Sequence, residues 1–203
     1  DIVIGNNKKH ELLAMIEAYE NDHGKCGNVI DINHEKQEYE EMFLERTAEH
    51  TRAFIKVQDG CNQFCSYCII PFARGRVRSR NSEDVIREVK RLAEHGFREI
   101  VLTGIHLSSY GVDTGDDLLH LIREVHKVLP DTAIWLGGPE VSYDARKVLE
   151  EHPEVTGVMK GEGEVTFLEL AGFYLEGISE LAKIEGITYR DGDQIQENPW
   201  RGI

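Results

Sequence analysis

Cys61, Cys65 and Cys68 fall within eight consecutive positions of the segment DGCNQFCSYCIIPFARGRVRSR, residues 59–80. The chain holds four cysteines in all, a poor disulfide framework for a sequence of this character. The Cys-x3-Cys-x2-Cys spacing suits a metal better. A structural zinc wants four ligands in a closed tetrahedron, so Cys26 or a histidine would have to complete the set. Three thiolates on one loop can alternatively hold three irons of a 4Fe–4S cluster and leave the fourth iron open to a substrate or cofactor. Cys26, alone in NDHGKCGNV, reads as a loop thiol outside the set.

Four arginines, Arg74, Arg76, Arg78 and Arg80, follow the cysteines. The net charge of −14 argues against a surface that attracts nucleic acid everywhere. The charge is uneven, however. Residues 52–80 carry Arg52, Lys56 and the four arginines against a single acid, Asp59, whereas residues 128–203 carry 15 acids and 6 bases. Contact with RNA is therefore expected beside the cysteines, through Arg74, Arg76, Arg78 and Arg80, unless these form only a solvated cluster. No run of 18 apolar residues occurs, and the opening DIVIGNNKKHELL lacks the order of a signal peptide. A cytoplasmic protein is expected.

The cysteine loop needs elements to position it. RAFIKVQDG (52–60) alternates like a strand and delivers its C-terminal end to Cys61. Ser82 is a plausible N-cap for the amphipathic helix EDVIREVKRLAEHG, which Gly96 stops. REIVLTG (98–104) reads as a buried strand and DDLLHLIREVHKVL (116–129) as a helix closed by Pro130. Strand TAIWLGG (132–138), helix YDARKVLEEH (143–152), strand VTGVMKG (155–161) and helix EVTFLELAGFYLEG (164–177) continue the alternation. HELLAMIEAYE (10–20) is a further helix, GNVIDI (27–32) a short strand, and NHEKQEYEEMF an acidic connector. The end, EGITYRDGDQIQEN, is a hairpin about the Asp191-Gly192 pair. Such alternation predicts an α/β fold with a parallel sheet and right-handed crossovers, whether an open sheet or part of a barrel.

The cysteine spacing, with aromatic Tyr67 before the third cysteine, resembles the signature of radical S-adenosylmethionine (SAM) enzymes. That resemblance implies a 4Fe–4S cluster on Cys61, Cys65 and Cys68, with SAM chelated to the open iron. The cluster then supplies the electron that cleaves SAM to a radical able to abstract hydrogen from an unreactive carbon. It also implies an electron donor such as flavodoxin or ferredoxin. Tyr67 matches an aromatic that lies near the adenine, although core packing explains a tyrosine equally well. More narrowly, TRAFIKVQDGCNQFCSYCIIPFARGRVRSR and EDVIREVKRLAEHGFREIVLTGIHLSSYG look like the methylthiotransferases that act on threonylcarbamoyladenosine in tRNA. By this resemblance Gly104 lets backbone approach SAM at the end of the second barrel strand, and Ser108 and Tyr110 are pocket residues. A plain turn explains SSYG as well.

That family also carries three more cysteines for a second cluster, in an N-terminal domain that this sequence does not show. From residue 128, LGGPEVS, KGEGEVTF and GITYRDGDQIQENP instead resemble the second half of a cobalamin-binding domain found in another radical SAM group. Gly137, Gly138, Gly161 and Gly163 would there let backbone approach a cofactor tail. The expected organisation is a linker over 1–50, the first part of a radical SAM barrel over 51–127 and a Rossmann-like half domain over 128–203, ending in the hairpin. Three readings compete. One is a tRNA methylthiotransferase-type protein incomplete as a catalyst. The others are a cobalamin-binding fragment and an inactive iron–sulfur or zinc fold.

Overall fold

Apolar periodicity and turn residues place most elements where the sequence puts them in the computed structural model, which describes residues 2–5, 8–23, 26–28, 38–40 and 52–202. The chain divides into two units, Asp1–Val128 and Leu129–Ile203. Among the described residues no helix is long and apolar enough to cross a membrane.

The first unit opens with β1 (Ile2–Ile4), a 3-10 turn at Lys9–Glu11, α1 (Leu12–Asp22) and β2 (Cys26–Asn28). β2 pairs parallel to β1, with Cys26 opposite Ile2, so Cys26 opens a strand where a loop was expected. Most of the acidic connector lies outside the described residues. Next come β3 (Arg52–Lys56), β4 (Gln58–Asp59), α2 (Ile70–Arg74), β5 (Arg78–Ser79), α3 (Ser82–Glu94), β6 (Glu99–Thr103) and α4 (Leu118–Val128). β3 alternates as its sequence predicts, with Ala53 and Ile55 buried and Phe54 outside. It runs parallel to β6 in a register from Arg52 opposite Glu99 to Lys56 opposite Thr103, and Arg52 Nε meets Glu99 Oε2 at 2.6 Å.

The crossover between these strands is α3, which buries Val85 and Val89, four residues apart and hence on one face. Its N-cap is Asn81, not Ser82: the Asn81 side chain accepts the Glu83 N–H at 2.8 Å, and Asn81 itself is extended at φ −60°, ψ 132°. Either residue type can cap, and backbone conformation decides between them. α4 packs beside α3 and buries Leu121 and Ile122. The described strands of this unit form three two-stranded sheets, β1–β2, β3–β6 and antiparallel β4–β5, and do not close a barrel.

The second unit contains β7 (Trp135–Gly137), a single turn α5 (Pro139–Ser142), α6 (Ala145–Glu151), β8 (Gly157–Met159), α7 (Glu164–Glu176), β9 (Ile187–Asp191) and β10 (Gln194–Glu197). Its sheet has the order β10-β9-β8-β7. Only β7 and β8 are parallel. β9 runs antiparallel to β8 and to β10, so the parallel alternation stops after one crossover. Asp191 pairs directly with Gln194, which makes the hairpin loop Gly192–Asp193, one residue later than expected. Gly192 supplies the positive φ, 57°, that such a tight turn needs. Leu170, Ile184, Ile187 and Tyr189 form the core between α7 and the sheet, with Trp135, Met159, Phe173 and Leu181 around them.

Candidate metal centre

The loop that bears the three thiols is held shut at its base. Val57 extends the β3–β6 pairing by donating its N–H to Thr103 O at 2.8 Å, and its own carbonyl accepts the Arg80 N–H at 2.8 Å. Beyond it, Cys61 N–H donates to Gly75 O at 3.1 Å and Val77 N–H donates to Asn62 Oδ1 at 3.1 Å. Gly60 makes this approach feasible. Its φ is +72°, and a Cβ there would lie 1.9 Å from Arg76 O.

A buried ion pair reinforces the closure. Asp59 accepts from Lys56 Nζ and from Gly60 N–H at 2.8 Å, while Arg78 Nη2 stands 3.3 Å and Arg74 Nη1 3.4 Å from its carboxylate. Arg78 also donates from Nη1 to Arg74 O at 2.8 Å and to Arg76 O at 3.3 Å. One guanidinium thus ties Asp59, before the loop, to the carbonyls of Arg74 and Arg76 after it. Burial by itself would raise the Asp59 carboxyl. The hydrogen bonds from Lys56 and Gly60, with the charges of Lys56 and Arg78, outweigh burial and hold it below the ordinary carboxylate range.

Within the loop, Cys61 is 8% exposed, Cys68 is half-buried and Cys65 is exposed; all three are free thiols. Cys68 N–H donates to Cys65 O at 2.9 Å, and Gln63 N–H reaches Cys61 Sγ at 3.5 Å. Phe64 takes a positive φ of 49° and packs its ring under the Arg76 guanidinium, 4.4 Å from the centroid, with Phe72 edge-on at 5.5 Å. Tyr67 is 91% exposed. Among the described residues no group of three or more cysteine, histidine or carboxylate side chains is drawn together as a metal shell. Gathering several thiols at one point is work that the metal itself does. The donor set fits a thiolate-bound centre: residues 60–75 contain three cysteines, no histidine and no carboxylate.

The segment after β6 forms a second wall. Gly104 follows the strand, and a Cβ on it would lie 2.9 Å from Gln58 Oε1 and 3.0 Å from Gln58 Cβ. The room that Gly104 leaves is therefore filled by Gln58, a packing role in addition to the one its resemblance implies. His106 Nδ1 is 2.7 Å from Ser109 Oγ, and Ser108 is exposed with Oγ 3.3 Å from His106 Nδ1. Tyr110, expected in a pocket, is 2% exposed and donates its hydroxyl to Arg80 O at 2.8 Å. Burial, with the Asp116 and Asp113 charges nearby, raises its pKa and keeps it a neutral donor. Ser79 fastens this wall to β5, donating from Oγ to Asp113 Oδ1 at 2.5 Å and accepting the Gly111 N–H at 2.8 Å.

The four arginines separate into two pairs. Arg78 and Arg80 are inside, Arg78 on Asp59 and Arg80 on Glu88, so neither faces a phosphate backbone as the sequence led us to expect. Arg74 is half-exposed and Arg76 exposed. Gly137 and Gly138 belong to the second unit, at the end of β7 and at the start of α5. Sequence reasoning missed Gln58 and Asp59. The available signal was a polar pair set immediately before Gly-Cys, where the apolar alternation of β3 breaks off.

Residues 55–187 match the family described as the radical SAM superfamily. A threonylcarbamoyladenosine tRNA methylthiotransferase from Aquifex aeolicus is 45% identical over 128 residues, which are 63% of this chain and 31% of that protein. Its namesake from Bacillus subtilis is 42% identical over 57% of this chain and 26% of that protein. A putative methylthiotransferase from Helicobacter pylori is 33% identical over 73% of this chain and 35% of its own length. The chain thus spans between about a quarter and a third of the curated relatives it matches. A cobalamin-dependent SAM radical enzyme, OxsB, solved with aqua-cobalamin and SAM bound, overlays 75% of this chain and 22% of its own at 15% identity and a TM-score of 0.42.

Proposed function

The chain belongs to the radical SAM superfamily, whose members work with a 4Fe–4S cluster and SAM, and we propose that here Cys61, Cys65 and Cys68 are the cluster's ligands. The observation that carries this assignment is the closed base of their loop. The Asp59–Arg78 pair and the Cys61–Gly75 hydrogen bond fix both ends of a segment whose only metal-binding side chains are thiols. When bound, the cluster supplies the electron that cleaves SAM and so the radical chemistry of the family. The rest is the work of this chain's own residues. The cysteines bind as thiolates. Tyr67, exposed beside the third cysteine, offers an aromatic face to the adenine of SAM. Ser108, exposed in the segment after β6, is available to a polar group of the bound molecule.

We further propose tRNA as the substrate class, with threonylcarbamoyladenosine as the modified nucleoside. The similarity to the Aquifex and Bacillus methylthiotransferases supports this reading. Phosphate contacts fall to Arg74 and Arg76, and the electron to a donor such as flavodoxin or ferredoxin. By themselves the 203 residues are expected to be incomplete as a catalyst, since three of their four cysteines are assigned to one cluster, Cys26 stands alone, and the sulfur-handling cluster of the family needs three more.

Anaerobic reconstitution with iron and sulfide tests the assignment. Four irons per chain should bind, lost in Cys65→Ala and kept in Cys26→Ala, and the spectrum of the reduced cluster should change on adding SAM. Stoichiometric zinc that iron does not displace would overturn it. Reduced protein with SAM, sulfide and tRNA bearing threonylcarbamoyladenosine should release 5′-deoxyadenosine without methylthio product. Methylthio nucleoside above a Cys61→Ala control, read by mass spectrometry, would show a working minimal enzyme.

A further inference from the structure

Gln58 has no exposed surface, and the three hydrogen bonds of its carboxamide all go to backbone. Nε2 donates to Asp59 O at 2.9 Å and to Gly60 O at 2.7 Å; Oε1 accepts the His106 N–H at 2.9 Å. The peptide group between Gly60 and Cys61 is therefore held at both ends: its oxygen by Gln58, its N–H by Gly75 O. That peptide sets the direction in which Cys61 leaves the chain. The same carboxamide grips the segment leaving β6 through His106, where the missing Cβ of Gly104 makes room for it. One neutral side chain thus joins the entry to the first cysteine to the opposite wall, across 48 residues of sequence.

We propose that Gln58 is a positioning residue. It fixes the first cysteine against the 104–106 segment, so that a molecule bound between them meets a cluster and a wall at a set separation. This inference rests on the cysteine loop holding the cluster and SAM. The amide is suited to the task because it donates and accepts without charge. Glutamate would set a carboxylate against two carbonyl oxygens, and methionine would fill the space with neither donor nor acceptor.

The test compares wild type, Gln58→Met, Gly104→Ala and the double variant after anaerobic reconstitution. Iron content is measured first. The reduced cluster is then titrated with SAM and followed by electron paramagnetic resonance. Wild type that shows no SAM-dependent change refutes the underlying reading of the loop, separately from the role of Gln58. With that change present, Gln58→Met should keep its iron while the SAM concentration at half-change rises about tenfold or more, as for other residues that orient metal ligands. Gly104→Ala, which crowds Gln58 without removing it, should raise it too, and the double variant no further than Gln58→Met. An unchanged midpoint in Gln58→Met overturns the proposal. So does failure of that variant to take up iron, because the residue would then serve only the folding of the loop. Strictly additive effects in the double variant also overturn it. If Gln58→Met gives no folded protein, Gly104→Ala decides: a raised midpoint with full iron supports the coupling, and a wild-type midpoint overturns it.

Discussion

Both units bury cations; Arg78, which like Arg80 lies inside the first, and Lys160 in the second differ in what surrounds them. Arg78 meets Asp59, itself buried, and bonds the carbonyls of Arg74 and Arg76, so the pair closes a loop that carries three thiols. Lys160 Nζ reaches Asn198 O at 2.9 Å and Glu197 Oε1 at 3.3 Å, and stands 5.3 Å from the Trp200 ring centroid. Its partner Glu197 is exposed. Lys160 fastens the segment after β10, and no cysteine or histidine lies in that segment. A buried charge therefore does not mark a site. What marks the first one is the chemistry of the residues that the ion pair encloses.

Gly60 and Arg78 offer the strongest way to break the comparison. Gly60→Ala drives a methyl into Arg76 O, and Arg78→Ala leaves the Asp59 carboxylate buried beside Lys56 and Arg74 only. Removing one partner of a buried pair costs about 3–5 kcal/mol. Urea denaturation should show a loss of that order for Arg78→Ala, together with loss of iron uptake. A variant that keeps wild-type iron content would show that the base of the loop need not be closed.

Lowering the pH probes the same pair more gently. The Asp59 carboxyl is held below its ordinary value in the folded chain, so its stabilising contribution is fully present above the unfolded-state pKa, about 4. It is lost as pH falls through the lower folded value. Wild type should accordingly lose stability more steeply below about pH 4 than Asp59→Asn does. Parallel stability curves for the two proteins down to about pH 2 would remove Asp59 from the account.

Lys160→Met should have a smaller effect. The methionine keeps the volume, and Glu197, left without its ammonium, remains in contact with water. Replacing a charge by an apolar group of similar size is then near neutral, within about 1 kcal/mol in urea denaturation. A loss comparable to that of Arg78→Ala would place Arg78 and Lys160 in one class.

How far the sequence reveals this arrangement depends on the range of the forces involved. Periodicity is local, so β3, α3 and α4 are legible from Ala53–Ile55, Val85–Val89 and Leu121–Ile122. The three thiols are legible because their spacing is itself the signal. Strand direction is not local: nothing in GITYRD says that β9 runs against β8. Burial of Arg78, Arg80 and Gln58 is likewise hidden, because a polar residue goes inside only where partners await it. Those partners come from elsewhere: Glu88 eight residues beyond Arg80, and His106 far beyond Gln58. The hairpin slips by one residue for a related reason, since a turn-forming pair fixes that a turn occurs and cross-strand pairing fixes its register.

The smallest effect is expected for cobalamin. Ligand crevices in open α/β sheets form outside the carboxyl ends of neighbouring parallel strands, where the chain departs to opposite faces. The second unit provides one such pair, β7 and β8, and its next strand, β9, runs the other way and presents its amino end there. Gly137 closes β7, and a Cβ on Gly138 would meet nothing within 4 Å, so backbone at this edge is open but is walled by a single parallel pair. A corrinoid needs cover on both of its faces to be held against water, because its affinity comes from extensive burial and not from one open edge. Incubation with hydroxocobalamin followed by gel filtration should leave no corrinoid absorbance with the protein, and Gly138→Val should behave as wild type does. Corrinoid that co-elutes with wild type and is lost from Gly138→Val would make the end of β7 a binding site, and the contrast between the two units would become one between two cofactors.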